Sequence, residues 1–228
     1  CKYIFVCLPT PMNKDGSCNA DIVREVLFKL NKSTKALVVN KSTVIPGTTE
    51  RFNKEFKNLN VIYNPEFLTE RNAVNDFSNQ TRIIIGGTTP DSSKLRQIYS
   101  TVFPNAYIIK TGSRNAEMIK YLTNSFLSTK VSFANEMYEL CNALKLDYDK
   151  VIEYASLDKR LGNSHWSVPG PDGDLGFGGH CLPKDLAAII KLTEDLETCN
   201  STLKSVQKTN DKLRKNRDWD NMKGRAVI

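Results

Sequence analysis

The segment Phe177–Asp185, which reads FGGHCLPKD, carries the strongest chemical signal in the sequence. Its paired glycines permit a close approach of the backbone to another group. Pro183 favours the first turn of a helix and so places Cys181 at the helix amino end, where the dipole stabilises a thiolate. Lys184 would strengthen this effect and Asp185 would oppose it. The segment predicts either a reactive cysteine or, as the ordinary alternative, a buried small side chain beside a glycine turn.

Two further sets of polar residues could serve the same chemistry. On a predicted helix, Glu117, Lys120 and Asn124 are spaced three and four apart and share a face, from which the lysine and asparagine could donate to a developing oxyanion. Glu66 and Glu70 follow a predicted strand in the segment NPEFLTE, and one of them could activate water. Each set also has an ordinary interpretation, namely a solvated stripe with a Glu–Lys ion pair and a pair of exposed glutamates.

Short apolar runs alternate with helical patterns over residues 1–110, which predicts an α/β fold with a partial doubly wound, Rossmann-like parallel sheet. Polar loops follow three of the predicted strands, at Pro9-Thr10-Pro11, Lys41-Ser42-Thr43 and Asn64-Pro65-Glu66. Ligands bind at the carboxyl ends of strands in such sheets, so these loops predict a cofactor crevice. The strands are predicted at residues 2–8, 36–40, 60–63, 82–85 and 107–109, with helices beginning near residues 21 and 91.

Residues 111–216 are predicted to form an all-helical central dimerisation domain, and residues 217–228 to begin a further domain with a strand opening at 224–228. The first helix, at 115–144, should be about 45 Å long, which exceeds what the α/β layer can cover. Part of its apolar surface therefore needs a partner, either a second copy or the helix that follows Leu196. This surface comprises Val131, Phe133, Met137, Leu140 and Cys141. Further helices are predicted at 147–156, 183–192 and 196–216, with a Gly- and Pro-rich loop at 162–179.

The composition of the 228 residues excludes several classes of protein. Six scattered cysteines without a CxxC pair argue against a disulfide scaffold or a metal site, and favour a cytoplasmic setting. No apolar run is long enough to cross a bilayer, and the apolar start reads as a buried strand rather than a signal peptide. The net charge is +7, and a basic stretch lies at 204–217. The helical spacing of its charged residues predicts a solvated helix face. We therefore expect no metal, no membrane and no nucleic-acid partner.

Six ordered motifs, read together, resemble the UDP-glucose and GDP-mannose dehydrogenase family over nearly the whole chain. They are CLPTP at 7–11, KSTVIPGT at 41–48, NPEFLTE at 64–70, AEMIKYLTNSFLSTKVSFANE at 116–136, LDKRLGN at 157–163 and GFGGHCLPKD at 176–185. The resemblance implies an NAD-dependent, four-electron oxidation of a nucleotide sugar, with UDP-glucose expected and GDP-mannose or another nucleotide sugar as the alternative. It also implies a role in polysaccharide biosynthesis.

The same resemblance assigns roles to individual residues. Cys181 would capture the aldehyde, Lys120 and Asn124 would stabilise oxygen charge, and Glu66 would act as acid and base, with Asp185 orienting the water. Arg160 would reach the substrate of a neighbouring subunit, which implies a homodimer through the long helices. The residues implied to face the cofactor are Pro9, Thr10, Ser42, Thr43, Glu70 and Lys184. Those implied to contact the substrate are Glu66, Phe67, Leu68, Lys120, Asn124, Arg160, Phe177 and Gly178.

Two departures from the family pattern limit what the chain is expected to do alone. The G-x-G-x-x-G turn of the family's first strand and helix is absent, and so is the acidic residue that binds the adenosine ribose. The family's carboxy-terminal domain would begin near Gly224. The chain therefore resembles an internal portion of a longer enzyme, and a non-catalytic dimerisation fragment is the competing hypothesis from a different class.

Overall fold

A five-stranded sheet organises the first half of the chain in the computed structural model, which describes residues 1–228. Its strands lie side by side in chain order and are joined by helices that pack on both faces of the sheet. The fold class predicted from the alternating pattern is thereby confirmed. The elements are β1 (Tyr3–Val6), α1 (Asp21–Leu30), β2 (Leu37–Asn40), α2 (Thr48–Glu55), β3 (Asn60–Tyr63), α3 (Ala73–Ser78), β4 (Arg82–Gly86), α4 (Thr89–Val102) and β5 (Tyr107–Thr111).

Alternation of side chains along β2 explains why helices cover both faces of the sheet. Val38 packs with Val23 and Leu27 of α1, whereas Leu37 and Val39 pack on the opposite face with residues of α4. Successive side chains of a strand point to opposite faces, so the apolar run at residues 37–39 is buried on both sides of the sheet. All four residues of β2 are buried.

One pair of strands departs from the parallel arrangement that the sequence predicts. β1, β2 and β3 are parallel, as are β4 and β5, but β3 and β4 meet antiparallel at Tyr63 and Gly86. A parallel connection requires a crossover segment that packs on the sheet. The connection between β3 and β4 contains only a 3-10 turn at Glu70–Asn72 and the short helix α3, neither of which has a buried residue. This connection therefore does not serve as a crossover.

Four helices dominate the second half of the chain: α5 (Ser113–Ala143), α6 (Tyr148–Ala155), α7 (Leu182–Asp195) and α8 (Ser201–Leu213). The chain forms two compact units, and the boundary between them falls within α5. The first unit contains residues 1–10 and 18–122, and the second contains residues 11–17 and 123–228. No helix is both long and apolar enough to cross a membrane.

The helices predicted from periodicity agree with the structure for α1, α4, α5, α6 and α7, but the last part of the chain differs. The predicted helix at 196–216 is shorter because Glu197 takes a positive φ of 52° and ends α7, so that α8 begins only at Ser201. The predicted strand at 224–228 is wrong: the chain turns there, with Gly224 N donating to Val227 O at 2.7 Å. Helix α2 was not predicted.

Part of the apolar surface predicted to need a partner is covered within its own unit. Cys141 is buried and Met137 packs beside it against Tyr148 and Trp166. These covering residues come from α6 and the loop that follows it. Phe133 and Leu140 are each 50% exposed, so only the outer part of the predicted surface remains open.

Candidate active site

The polar loops after β1, β2 and β3 lie together at the carboxyl ends of these strands. Leu8 N donates to Ser42 Oγ at 2.8 Å, and Thr10 Oγ1 donates to Thr43 O at 2.7 Å. Thr10, Ser42 and Thr43 are buried, whereas Pro9 is exposed. The prediction that these loops share one edge of the sheet is therefore confirmed, because the three strands are parallel and in register.

Lys120 forms a buried ion pair with Glu66. Its Nζ lies 2.8 Å from both Glu66 Oε1 and the Glu66 carbonyl oxygen, and the lysine is 3% exposed. Burial alone would raise the pKa of the Glu66 carboxyl, but the Lys120 ammonium and the N–H of Leu68, 2.7 Å from Oε2, hold it below its usual value. Glu66 is thus a carboxylate at neutral pH.

Lys41 is a further titratable group near this pair, and it is not among the site residues predicted from the sequence. Its Nζ donates to Asn64 Oδ1 at 2.9 Å and to Asn64 O at 3.2 Å. Burial lowers the pKa of Lys41, while Glu66 opposes this change and Lys120 adds to it. A lysine directly after a fully buried strand was the available signal, since such a position lies at the ligand-binding edge.

Glu117 does not form the ion pair with Lys120 that the helical spacing suggested. Its carboxylate, which is completely buried, accepts hydrogen bonds from Gly47 N at 2.6 Å and Thr49 N at 2.8 Å. These donors form the amino end of α2, where unpaired N–H groups attract an anion. Burial raises the pKa of Glu117, although the two hydrogen bonds oppose that change. Glu117 therefore caps α2 rather than forming part of a solvated stripe.

Cys181 lies at the N-cap position of α7, as the glycine- and proline-containing segment predicted. Pro183 occupies the first turn of this helix, and the cysteine is partly exposed. The N–H groups of the first turn and the helix dipole stabilise negative charge at this position. The geometry therefore suits a nucleophilic sulfur.

Asp185, one turn further along α7, is held by two neighbours. Asn124 Nδ2 donates to Asp185 Oδ2 at 2.5 Å, and Lys184 Nζ lies 2.5 Å from Asp185 Oδ1. All three residues are buried. Lys184 was expected to favour a Cys181 thiolate and Asp185 to oppose it. In the structure these two side chains form an ion pair with each other. The roles predicted for Lys184 towards the cofactor and for Asn124 towards the substrate remain predictions.

The other residues implied to bind substrate or cofactor are found in varied settings. Phe67 and Leu68 line an open groove of about 380 Å³ in the first unit, and the Arg82 guanidinium lies 4.1 Å from the Phe67 ring centroid. Glu70 is exposed in the turn before α3. In the second unit, Phe177 is buried and Gly178 is partly buried. Arg160 has an 89% exposed side chain that pairs with Asp158 at 2.5 Å.

These features define a class of protein with a Rossmann-type sheet followed by a helical unit that carries a helix-terminal cysteine. Residues 1–103 match the NAD binding domain of the UDP-glucose/GDP-mannose dehydrogenase family, and residues 114–212 match the central domain of the same family. The chain therefore belongs to the UDP-glucose/GDP-mannose dehydrogenase family.

Curated relatives and solved structures agree with this assignment. A UDP-glucose 6-dehydrogenase of Pseudomonas aeruginosa is 37% identical, with 92% of this chain and 48% of the relative covered. A putative UDP-glucose 6-dehydrogenase of Bacillus subtilis is 34% identical, with 92% and 50% covered. The structure of a UDP-glucose dehydrogenase from Pyrobaculum islandicum is 36% identical with a TM-score of 0.84, covering 92% of this chain and 50% of that one. The chain spans about half the length of the relatives it matches.

The side chains at the carboxyl ends of β1–β3 are suited to part of NAD. Thr10, Ser42 and Thr43 offer buried hydroxyl groups there, and hydroxyls can both donate to and accept from ribose and carboxamide groups. These hydroxyl groups are uncharged and suit the neutral ribose and carboxamide parts of the dinucleotide.

Proposed function

We propose that the protein catalyses the NAD-dependent, four-electron oxidation of a nucleotide sugar, with UDP-glucose as the substrate and UDP-glucuronate as the product. Cys181 at the amino end of α7 is the single observation that carries this proposal, because a helix-terminal thiolate can trap an aldehyde. NAD, when bound, accepts a hydride from the same sugar carbon in each of the two oxidation steps.

Covalent bonding to Cys181 would divide the oxidation into separate steps. The primary alcohol first loses a hydride and a proton and becomes an aldehyde. The Cys181 sulfur then bonds to the aldehyde carbon to give a thiohemiacetal, and loss of a second hydride and a proton leaves a thioester. Water attacks this thioester, the carbon–sulfur bond breaks, and the acid and the free thiol are released. Covalent capture keeps the aldehyde from escaping between the steps.

Lys120 and Glu66 are proposed to manage charge and protons. The Lys120 ammonium would stabilise negative charge on the reacting oxygen, since a preorganised donor acts most strongly where water is excluded. The Glu66 carboxylate, which is ionised at neutral pH, would accept the proton of the attacking water. Thr43 would lie beside this water and the cofactor.

Asn124 and Asp185 are proposed to act in the second unit. The Asp185 carboxylate is fixed by Asn124 and Lys184 and would orient water and the Cys181 nucleophile. The Asn124 amide would also support oxygen charge. Phe177 and Gly178 would contact the nucleotide sugar, as Phe67 and Leu68 would in the first unit.

The choice of substrate and the subunit arrangement rest on different observations. UDP-glucose is favoured because curated relatives with 34–37% identity carry the name UDP-glucose 6-dehydrogenase. The structure of a GDP-mannose dehydrogenase from Pseudomonas aeruginosa, 29% identical with a TM-score of 0.65, supports the alternative sugar nucleotide. A homodimer through α5 is proposed because Phe126, Phe133 and Leu140 leave apolar surface exposed on this helix.

Counting the NADH formed per sugar tests the proposal most directly. The purified protein would be incubated with NAD and UDP-glucose, GDP-mannose or another nucleotide sugar. We expect two equivalents of NADH per UDP-glucose, and the Cys181→Ser variant should form no sugar acid while still binding the sugar nucleotide. Cys199→Ser, which alters an exposed cysteine, is the matched control. An unchanged yield of acid in Cys181→Ser would refute the covalent mechanism, and no NADH with any sugar would leave the dimerisation fragment as the better description.

A further inference from the structure

Asn210 of α8 holds the backbone of Phe177, four residues before the cysteine. Asn210 Oδ1 accepts a hydrogen bond from Phe177 N at 2.7 Å, and Asn210 Nδ2 donates to Phe177 O at 3.0 Å. One amide group thus satisfies both backbone groups of a single residue. Asn210 is 3% exposed, so water does not compete for these bonds. Next to it, Asn135 Oδ1 accepts from Gly176 N at 3.1 Å.

Asp218 and Arg214 hold the next part of the same segment. The Asp218 carboxylate accepts from Gly179 N at 3.0 and 3.2 Å. Arg214, whose side chain is 1% exposed, lies 3.3 Å from Asp218 Oδ1 and 2.6 Å from Asp172 Oδ2. Arg214 therefore orients the carboxylate that holds Gly179, and its buried charge is balanced by acidic neighbours.

At Gly176 and Gly178, these side chains occupy the space that a larger residue would need. A Cβ atom added at Gly178 would overlap Arg214 Nη2 and Asp218 Oδ1, and one at Gly176 would overlap Asn210 Oδ1. Gly178 does not have a positive φ, so its backbone would accept another residue. Its small size is required by the arginine and the aspartate beside it.

We propose that Asn210, Arg214 and Asp218 form a clamp that positions Cys181, by fixing the backbone of Phe177 and Gly179 just before the cysteine. The residues after Cys181 are already fixed, because Pro183 to Ile190 of α7 are buried. The clamp fixes the other side, so the sulfur has one backbone geometry at the start of the helix. None of the three side chains is assigned contact with substrate. The importance of this positioning rests on the proposed role of Cys181.

Hydrogen exchange measured by mass spectrometry tests whether the clamp fixes the segment. In Asp218→Ala, the peptide containing Phe177 and Gly179 should exchange about tenfold faster, because a hydrogen bond to a charged group is lost. Asn210→Leu should have a similar effect. Asp218→Asn should have a much smaller effect, since the amide oxygen can still accept from Gly179 N although the charge is lost. Asp211→Ala is the matched control, because this exposed aspartate of α8 pairs with Arg217 and does not contact the segment.

Alkylation of Cys181 by iodoacetamide, quantified on the peptide that contains it, tests whether the segment positions the sulfur. The rate should change severalfold in Asp218→Ala and return most of the way to the original value in Asp218→Asn, while the exposed Cys199 reacts unchanged. Unaltered exchange in Asp218→Ala would refute the clamp, and altered exchange with an unaltered Cys181 rate would refute positioning. Both measurements need neither NAD nor a sugar. If the protein oxidised no nucleotide sugar, the clamp would still stand or fall by these results.

Discussion

Two buried lysines of α5 are held in contrasting ways. Lys120 is 3% exposed and pairs with the Glu66 carboxylate at 2.8 Å. Lys130 is 8% exposed, and its Nζ donates to the carbonyl oxygens of Leu161 at 2.9 Å and Gly162 at 3.2 Å. Its Nζ also lies 4.6 Å from the centroid of the Trp166 ring. Lys130 has neutral partners, whereas Lys120 has an ionised one.

The difference shows how burial of the same residue type serves two purposes. A buried lysine with a carboxylate partner can stabilise an anion that develops beside it. A buried cation with only carbonyl and aromatic partners is costly to keep charged, and burial lowers the pKa of Lys130 accordingly. The hydrogen bonds of Lys130 fix the C-terminal part of the LDKRLGN segment, at Leu161 and Gly162. We infer a chemical role for Lys120 and a structural role for Lys130.

The largest expected effect is on turnover in Lys120→Ala. Loss of one preorganised donor to an oxyanion lowers kcat by roughly 100- to 1,000-fold in other enzymes, and we expect a loss in this range. Steady-state kinetics with NAD and UDP-glucose would measure it, with Lys130→Met as the matched control on the same helix. A change confined to KM would make Lys120 a binding residue and remove the contrast between the two lysines.

The next effect in size concerns stability in Lys130→Met. Methionine retains much of the length of the side chain but donates no hydrogen bond, so the carbonyls of Leu161 and Gly162 lose their partner. We expect the free energy of unfolding to fall by about 1.5–3 kcal/mol, measured by urea denaturation. The kcat of the folded fraction should stay unchanged. A fall in kcat with full stability would assign Lys130 to the chemistry as well.

A smaller effect is expected in Arg160→Ala, because this residue is exposed and pairs only with Asp158. If Arg160 reaches the substrate of a neighbouring subunit, its loss should raise KM for the sugar nucleotide about tenfold, which corresponds to one charged hydrogen bond. The free energy of unfolding should not change. Light scattering supplies the second criterion, since a strict monomer at micromolar concentration would contradict a shared site.

The sequence predicted those features that depend on local patterns. An uninterrupted stretch without Gly or Pro predicted α5 within two residues at each end, and Pro183 placed Cys181 at the start of α7. Parallel strands ending in polar loops predicted the edge at which Thr10 and Thr43 meet. Each of these follows from chain-local chemistry, which periodicity and breaker residues express directly.

Features that depend on tertiary partners could not be predicted in the same way. Helical spacing suggested that Glu117 pairs with Lys120, but the N–H groups of Gly47 and Thr49 compete more effectively for a buried carboxylate. Strand direction is not encoded in a short apolar run, so the antiparallel meeting of β3 and β4 was missed. Asn210 and Arg214 lie in a stretch whose charge pattern resembled a solvated helix face, and their burial depends on the loop they contact.

The smallest expected effect is a dependence of stability on alkaline pH that distinguishes the original protein from Lys130→Met. Because burial lowers the pKa of Lys130 in the folded state, the unfolded chain retains its proton up to a higher pH, near 10.5. Between these two values the unfolded state binds more protons, so the free energy of unfolding should rise with pH. The contribution of Lys130 must stay below about 1.4 kcal/mol per pH unit, the limit for one proton. Urea denaturation of both proteins between neutral pH and pH 10 would isolate this contribution as the difference in slope, since Lys41 and every other lysine are common to both. Equal slopes would mean that Lys130 keeps its proton as readily in the folded state as in the unfolded chain, and the contrast with Lys120 would then rest on their partners alone.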